Sequence, residues 1–238
     1  MTKAQRTKSL LVGALTILLI GSTASSTITA QAITKVVPSV VVPKVVPTFS
    51  GPVWSPLRTP ARVSCVRTNC PGPYHNYWAI DFISSLHEPS GAEPHDPLYA
   101  VAAGVFHIGG RDSSCTTTIH GGNWAWIDHG AGRRTRYHHL DAVTATEGQR
   151  VTPRTQIGTI GHSGFICNSI NYLHMEFRVN NQHVAPPSMF ACVGTRRVTL
   201  PQSLGYATWD QVPTNKQPKT GLNPNVFTPT STSDCIPR

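Results

Sequence analysis

The stretch "INYLHMEFRV", residues 170–179, predicts a β-strand whose two faces differ in chemistry. Residues two apart on a strand point to the same side of the sheet. One side would therefore carry three apolar residues, Leu173, Met175 and Phe177. The other side would carry a phenol, an imidazole and a carboxylate, those of Tyr172, His174 and Glu176. We expect the apolar side to pack on a core and the polar side to line a functional site.

The residues between Val63 and Leu200 predict an all-β fold. Short apolar runs such as "WAWIDHG" and "QIGTIGHSG" are separated by Gly, Asn, Asp and Pro, and no sustained helical periodicity interrupts them. The segment "IDHGAGRRT" predicts a hairpin connection, because Gly130 and Gly132 can adopt left-handed conformations.

The two ends of the chain differ in composition from this central part. Residues 33–62 contain a proline every few positions, and proline fixes φ and removes a ladder donor, so we expect an extended linker or arm there. Residues 201–238 are rich in Pro, Thr and Ser and predict an irregular tail. The expected folded domain is therefore residues 63–200.

Residues 1–32 have the pattern of a secretory signal peptide. A positively charged start is followed by the apolar run "LLVGALTILLIG" and by "AQA", a small-residue cleavage site. We expect cleavage after Ala32, no membrane attachment of the mature chain, and a secreted, extracellular location, either wall-associated or periplasmic. An uncleaved N-terminal anchor is the alternative.

The cysteine count fits an exported protein. Six cysteines are an even number, which in an oxidising compartment favours disulfides, and the sequence does not choose among the possible pairings. A thiolate zinc site is the rival interpretation, and it is disfavoured because no Cys-x-x-Cys pair occurs. Their positions are Cys65, Cys70, Cys115, Cys167, Cys192 and Cys235.

The charge balance predicts adhesion to polyanions. The formal net charge is +9, and removal of Lys3, Arg6 and Lys8 with the leader leaves +6. Outside a cell an anionic wall polymer is the expected partner. Nucleic acid is not expected, since the chain contains no basic helix, and simple solubility is the plainer explanation of the charge.

Two groups of histidines stand out among the eleven. In "RYHHL", neighbouring strand residues face opposite ways, so alternation predicts that His139 shares a face with Tyr137 while His138 points away. In "YHNYWAIDF", His75 and Asp81 can meet only if the chain turns between them, since six residues of continuous strand would separate them by roughly 20 Å. We expect structural or solvent-exposed roles for most of the others, including His183, and a structural role for His129.

These segments together resemble the M23 family of zinc metallopeptidases, the lysostaphin- and LytM-like peptidoglycan hydrolases. "HNYWAIDF" is similar to the family's first motif, and "WIDHGAGRRTRYHHL" is close to its I-D-H-G-x-G-x-x-T-x-Y-x-H-L stretch. "EGQRVTPRTQIGTIGHSG" resembles the following glycine-rich run, and "YLHMEF" takes the place of H-x-H-F-E. The resemblance covers about residues 75–179 and implies the antiparallel β-sheet core of the M23, or duplicated hybrid motif, type.

The resemblance implies a zinc site. His75, Asp81 and His174 would be the ligands, and three protein ligands leave an open position for water, as in catalytic zinc sites. His139 would act on that water as an acid–base group. Glu176, which shares the predicted face of His174, could be a hydrogen-bond partner of His174, and an exposed position for Glu176 is the alternative.

The sequence departs from the family pattern at two places. Five residues rather than three separate His75 from Asp81, and Tyr172 stands where the H-x-H motif has its first, catalytic histidine. A phenol can donate a hydrogen bond to an oxyanion but is no general base at pH 7. His139 and Tyr172 are therefore the catalytic candidates.

The expected function is that of a secreted, monomeric, zinc-dependent metalloendopeptidase that cuts peptide bonds of peptidoglycan. The alternative is a zinc-retaining but weak or inactive peptidoglycan-binding or regulatory protein. A metal-free structural β-protein is a third class. The sequence does not identify the bond that is cut.

Overall fold

The computed structural model describes residues 47–58, 61–67, 77–84, 96–112, 121–164, 171–193, 195–212 and 226–227. The chain divides into two compact units, Met1–Lys44 and Val45–Arg238, and all described residues belong to the second. The expected leader, the first part of the arm, His75 and four of the six cysteines lie outside the described residues. Within the described ranges, no helix is long and apolar enough to cross a membrane.

The described part is mostly antiparallel β-sheet, as the sequence predicts. Thirteen strands follow one another in the order β1 Ala61–Val66, β2 Ile80–Ser84, β3 Pro97–Tyr99, β4 Gly104–Gly110, β5 Asn123–Asp128, β6 Arg133–Val143, β7 Arg150–Val151, β8 Gln156–Ile160, β9 Tyr172–Val179, β10 Gln182–His183, β11 Met189–Val193, β12 Arg196–Leu200 and β13 Val226–Phe227. The helical content of the described ranges is short 3₁₀ turns at Gln202–Leu204 and Trp209–Gln211.

One large sheet carries the candidate site. Its strands run in the order β13-β1-β2-β9-β6-β5-β4-β7, with β10 beside β9 and with β8 joining β3 to β6, while β11 and β12 form a separate pair. Strand β9 lies between β2 and β6 and is antiparallel to both. Side chains from β2 and β6 therefore lie next to the polar side chains of β9.

The back of β9 is buried as the alternation predicts. Leu173, Met175 and Phe177 are fully inaccessible to solvent. Burial of a side chain of this size contributes about 1.5–3 kcal/mol, so this face fixes which side of β9 the polar residues occupy. Phe49 packs edge-on against Phe177, with ring centroids 5.0 Å apart, so the described end of the proline-rich arm contributes to the core. From the tail region, Trp209 does so as well.

The hairpin between β5 and β6 has the predicted turn. Gly130 and Gly132 both have positive φ, +78° and +71°. A Cβ on Gly132 would lie 2.1 Å from the amide oxygen of Asn180, so both conformation and space require glycine there.

A chain of hydrogen bonds lies behind this hairpin and gives His129 the structural role expected of it. The backbone N–H of Val101 donates to the hydroxyl of Tyr137, which lies 2.9 Å from the hydroxyl of Thr135. His129 places Nε2 2.9 Å from that same hydroxyl and Nδ1 2.8 Å from the carbonyl of Ala103. With His129 neutral and protonated on Nδ1, each proton in the chain has an acceptor.

The two cysteines within the described residues are Cys65 on β1 and Cys192 on β11. Neither is a free thiol. Both are buried, at 2% and 6% exposure.

Candidate active site

Strands β2 and β9 bring two of the expected ligands together. Asp81 and His174 are directly opposite each other in the register of the pair. Nδ1 of His174 lies 2.9 Å from Oδ1 of Asp81, and both side chains are buried. Oδ2 of Asp81 lies 3.4 Å from the sulfur of Cys65, which carries no proton to donate because it is not a free thiol. The Asp81 carboxylate thus contacts the imidazole of His174 through its other oxygen, Oδ1.

Glu176 continues the same face of β9 and holds the other nitrogen of His174. Its Oε1 is 3.6 Å from Nε2 of His174, while Oε2 is 3.1 Å from Nε of Arg178 and 3.2 Å from Nε2 of His183. Burial would raise the pKa of Glu176, but its contacts with His174, His183 and nearby positive charges hold that pKa well below the usual range. Glu176 is thus buried beside His174 rather than exposed.

These two carboxylates also determine the protonation of His174 in the metal-free protein. Burial lowers the pKa of His174, but the hydrogen bonds to Asp81 and Glu176 outweigh burial and raise the pKa to about 9. At neutral pH the metal-free imidazole is therefore protonated on both nitrogens, one toward each carboxylate.

Strand β6 contains a β-bulge at the predicted acid–base histidine. The register slips against β5 so that His138 and His139 together oppose the single residue Trp124. His139 has φ of +64°, and its backbone N–H donates to the carbonyl of Gly121 rather than to a strand partner. Strict alternation of side chains is interrupted at this point.

The expectation that His138 points away from the site is wrong. His138 is opposite His174 in the register of β6 and β9, with ring centroids 5.4 Å apart, and its Nε2 is 3.8 Å from Oε1 of Glu176. Tyr137, expected to share a face with His139, is instead fully buried in the core. Alternation holds up to His138, and the bulge then returns His139 to the same side of the sheet.

His138 occupies an apolar position within the site. Its ring stacks on Trp124, with centroids 5.3 Å apart and planes 13° from parallel. Burial and the positive charge of His174 lower the pKa of His138 well below its usual value. Among the described residues its Nε2 has no hydrogen-bond partner, so His138 is a neutral ring that packs against His174.

His139 is held in the orientation that an acid–base group needs. Nδ1 of His139 lies 2.9 Å from the carbonyl oxygen of Ser163 and so donates to it. In the neutral ring this bond leaves the lone pair on Nε2. The His139 ring lies 6.2 Å from that of His174 and 4.9 Å from that of Tyr172, centroid to centroid.

Tyr172 lies in the site, on the same face of β9 as His174. Its backbone N–H donates to the carbonyl of Gly161, which places Tyr172 at the end of the strand where the ring reaches His139. Burial, and then the charge of Asp81, raise the pKa of the Tyr172 hydroxyl. Tyr172 is a neutral phenol that can donate one hydrogen bond and cannot accept a proton as a base at pH 7.

Tyr77 is a member of the site that the motif comparison misses. It lies four residues before Asp81, which is where a spacing of three intervening residues would place the family's first histidine. Its ring stacks on His183 at 4.1 Å and meets the edge of His174 at 6.1 Å. Burial and the charges of Glu176 and Asp81 raise the pKa of Tyr77 to about 12, so it too is a neutral phenol.

The residues present fit part of a zinc site. An imidazole nitrogen and a carboxylate oxygen are zinc ligand types, and those of His174 and Asp81 lie 2.9 Å apart. The described residues contain no group of three or more His, Cys, Asp and Glu side chains that could hold a metal. The third ligand suggested by the resemblance, His75, lies outside the described residues.

The other histidines divide between structural contacts and the site. Nδ1 of His107 contacts the carboxylate of Glu147, and Nδ1 of His162 contacts the amide oxygen of Asn171 at 2.8 Å. His183, for which the sequence predicts a structural or solvent role, contacts Glu176 instead because strand β10 returns beside β9. His87, His95 and His120 lie outside the described residues.

Comparison with known proteins supports the resemblance seen in the motifs. Residues 89–186 match the model of peptidase family M23. Over 82 residues the chain is 35% identical to the peptidoglycan DD-endopeptidase ShyC of Vibrio cholerae serotype O1, a match that covers 34% of this chain and 16% of ShyC. The segment that matches the family model includes β4 to β9. The match to the family model begins after Asp81, so it includes His139, Tyr172 and His174 but not "HNYWAIDF".

Solved structures of peptidases are similar to part of this chain. A zinc-containing peptidase from Vibrio cholerae is 25% identical, with coverage of 54% of this chain and 38% of that chain and a TM-score of 0.39. The catalytic domain of the prophage-encoded M23 protein EnpA from Enterococcus faecalis, solved in a mutant form, is 23% identical, with coverage of 58% and 92% and a TM-score of 0.40.

Proposed function

We propose that this chain is a secreted, zinc-dependent endopeptidase that acts on peptidoglycan. The observation that carries the proposal is the convergence of His174 Nδ1 and Asp81 Oδ1 at 2.9 Å beside His139, within an M23-family sheet. The leader expected in residues 1–32 and disulfide pairing of the six cysteines are part of this proposal, since both belong to exported proteins.

Asp81, His174 and His75 are the residues that would hold the metal. Zinc bound there would supply a Lewis acid that lowers the pKa of a bound water to about 7 and polarises a peptide carbonyl. Glu176 would keep His174 oriented through Nε2, as carboxylates do for metal-binding histidines.

His139 and Tyr172 divide the remaining work. His139 accepts a proton on Nε2, because Nδ1 is engaged by the carbonyl of Ser163, and can return that proton to the leaving amine. Tyr172, neutral and close to His139, donates a hydrogen bond to the oxyanion that forms when the carbonyl is attacked.

A second candidate function is a zinc-retaining protein that binds peptidoglycan and cuts it slowly or not at all. Two observations favour it, namely the neutral phenol of Tyr172 at a catalytic histidine's position and the neutral phenol of Tyr77 four residues before Asp81. Loss of one acid–base group lowers the rate by about 10²–10⁴-fold, so the same fold is compatible with an active endopeptidase and with a slow or inactive binding protein.

One experiment separates these functions. The full chain, purified after export, is analysed for zinc and incubated with peptidoglycan, and new amino termini are measured by reverse-phase separation of the released fragments. We expect zinc and new termini from the wild type, none from His139→Ala, and wild-type release from Arg196→Ala, an exposed residue of β12. Zinc and sacculus binding without new termini would establish the second function, and absence of zinc would overturn both.

A further inference from the structure

The face of the sheet that holds the candidate site continues into a surface of arginine and tryptophan. Alternation along β5, β6 and β9 places five such residues beyond the site, and none of them is fully buried. They are Trp124, Trp126, Arg134, Arg136 and Arg178, and we call them the arginine surface. In register, Arg134 is opposite Arg178, and Arg136 is opposite Glu176.

The tryptophans hold two of the guanidinium groups in place. The guanidinium carbon of Arg134 lies 4.5 Å from the ring centre of Trp126, and that of Arg136 lies 5.2 Å from the ring centre of Trp124. His107 in turn stacks on Trp126 at 4.1 Å. Long side chains that are already ordered lose less freedom when a ligand arrives, so the surface is preorganised.

The positive charge of this surface exceeds the negative charge that faces it. Glu176 is 3.1 Å from Nε of Arg178, yet among the described residues that buried Nε lacks a hydrogen bond of good geometry. Among the side chains that the structure describes, Arg134 donates to the neutral amide of Asn181. Within the described ranges no carboxylate forms an ion pair with Arg134 or Arg136.

Two further acidic side chains near these strands are already engaged. Glu147 contacts His107 and accepts the backbone N–H of Ile108 at 2.7 Å. Asp128 is opposite Arg134 in the β5–β6 register, but its carboxylate accepts the backbone N–H of Gly130 at 2.8 Å. Burial, and then the positive charge of Arg178, lower the pKa of Arg136, while the charge of Glu176 acts in the opposite direction. A ligand that brings negative charge would relieve this repulsion.

We propose that the arginine surface binds free carboxylates of the peptidoglycan stem peptide and so selects carboxylate-bearing stems over uncharged peptide bridges. The inference rests on the proposed function, because it names the substrate class of that same site. Glu176 contacts both His174 and Arg178, so the surface begins at the edge of the site. The guanidinium fork matches a carboxylate with two parallel hydrogen bonds, which an ammonium group does not.

The test measures binding, so that it does not depend on cleavage. Isothermal titration of the full chain compares a soluble disaccharide-tetrapeptide that has free carboxylates with the same compound amidated at those carboxylates. We expect the free form to bind about tenfold tighter or more, as charged hydrogen bonds allow. Arg136→Gln should lose this preference, Arg136→Lys should keep part of it, and Arg196→Gln should behave as wild type.

Other outcomes overturn the proposal. The proposal is wrong if the two compounds bind with equal affinity or if neither binds. It is also wrong if Arg136→Gln and Arg196→Gln, both shown to be folded by thermal unfolding, lose the same affinity. Binding of poly(glycerol phosphate) that depends on Arg136, without binding of the tetrapeptide, would assign the surface to a phosphate polymer instead. If the zinc-loaded wild type releases no new termini yet prefers the free carboxylates, the proposed function fails and this inference stands.

Discussion

The imidazole of His174 and the carboxylate of Asp81 face each other across a direct cross-strand pair, with Nδ1 and Oδ1 2.9 Å apart. Backbone hydrogen bonds between β2 and β9 set this relationship, so it does not depend on a loop conformation. A site built on paired strands is held more precisely than one built on loops. The two residues should therefore remain aligned whether or not a metal is bound.

Removal of the Asp81 carboxylate should abolish zinc retention. In Asp81→Ala the imidazole of His174 would be the one proposed ligand left on these two strands, and the Asp81 carboxylate that attracts a cation beside it would be gone. The measurement is zinc content after dialysis against a weak chelator. Glu147→Gln, an exposed change on the β6–β7 connection, is the control and should retain zinc. Full zinc occupancy in Asp81→Ala would show that the ligands are elsewhere.

The hydroxyl of Tyr172 should matter for turnover and not for zinc. Tyr172→Phe removes one hydrogen-bond donor beside His139, and loss of such an oxyanion donor costs about 10²-fold in rate. Tyr172→His should raise the rate above wild type because it adds a second acid–base group. Release of new amino termini and zinc content are measured together. If Tyr172→Phe is as active as the wild type and Tyr172→His is no faster, then Tyr172 is not catalytic and His139 acts with the metal alone.

Tyr77→His should strengthen zinc binding. The Tyr77 ring already meets His174 edge-on, so an imidazole at this position would bring a third nitrogen or oxygen donor to the Asp81–His174 pair. We expect affinity to rise by at least about tenfold in a chelator competition, with Tyr77→Phe as the matched control. Equal affinity of the His and Phe variants would show that His75 already completes the site.

His138→Ala should destabilise the fold, although strand alternation alone would make His138 an outward-facing residue. The ring packs between Trp124 and His174, and its removal leaves a cavity worth about 2 kcal/mol or more in unfolding free energy. Urea unfolding measures this, and Arg196→Ala is the surface control. His138→Phe, which keeps a stacked ring, should recover most of the loss. A change in His138→Ala no larger than in the control would contradict the packing role.

His129 should make stability fall on the acid side of neutrality. Burial lowers its folded pKa below the ordinary value of 6.5, so as pH falls through 6.5 the unfolded chain takes up a proton that the folded chain does not. Unfolding free energy then decreases by up to about 1.4 kcal/mol per pH unit until the folded pKa is reached. His129→Asn should remove this component of the slope below about pH 6.5. An unchanged slope would exclude His129 as its source.

Much of the candidate site follows from the sequence because it lies on a regular strand. The alternation in "YLHMEF" places Tyr172, His174 and Glu176 correctly, since Leu173 and its apolar neighbours must be buried. Alternation fails one strand away, at His139, because a bulge there adds a residue and breaks the two-residue period.

A signal for that bulge is nevertheless present in the glycine pair before β5. The carbonyl of Gly121 accepts the N–H of His139, and a Cβ on Gly121 would lie 2.6 Å from Nδ1 of His138. Such close approach of backbone to a neighbouring strand is a common reason for glycine near a strand. Tyr77 escapes the motif comparison for another reason: the nearest histidine before Asp81 is His75, and a variable spacing makes it the motif's first residue.

The bulge at His139 also makes β6 a joint between two sheet branches. Before it, β6 pairs with β9 from Arg133 to His138, and after it, from Leu140 to Val143, the strand pairs with β8. Tyr137 and Leu140 are three residues apart yet both lie in the same hydrophobic core, whereas a regular strand would place them on opposite faces. His139, which carries the acid–base imidazole, is thus also the extra residue that changes which of the following β6 side chains point into the core. Deletion of His139 would remove more than one side chain. It would also move Leu140 and the residues after it to the opposite face of the sheet.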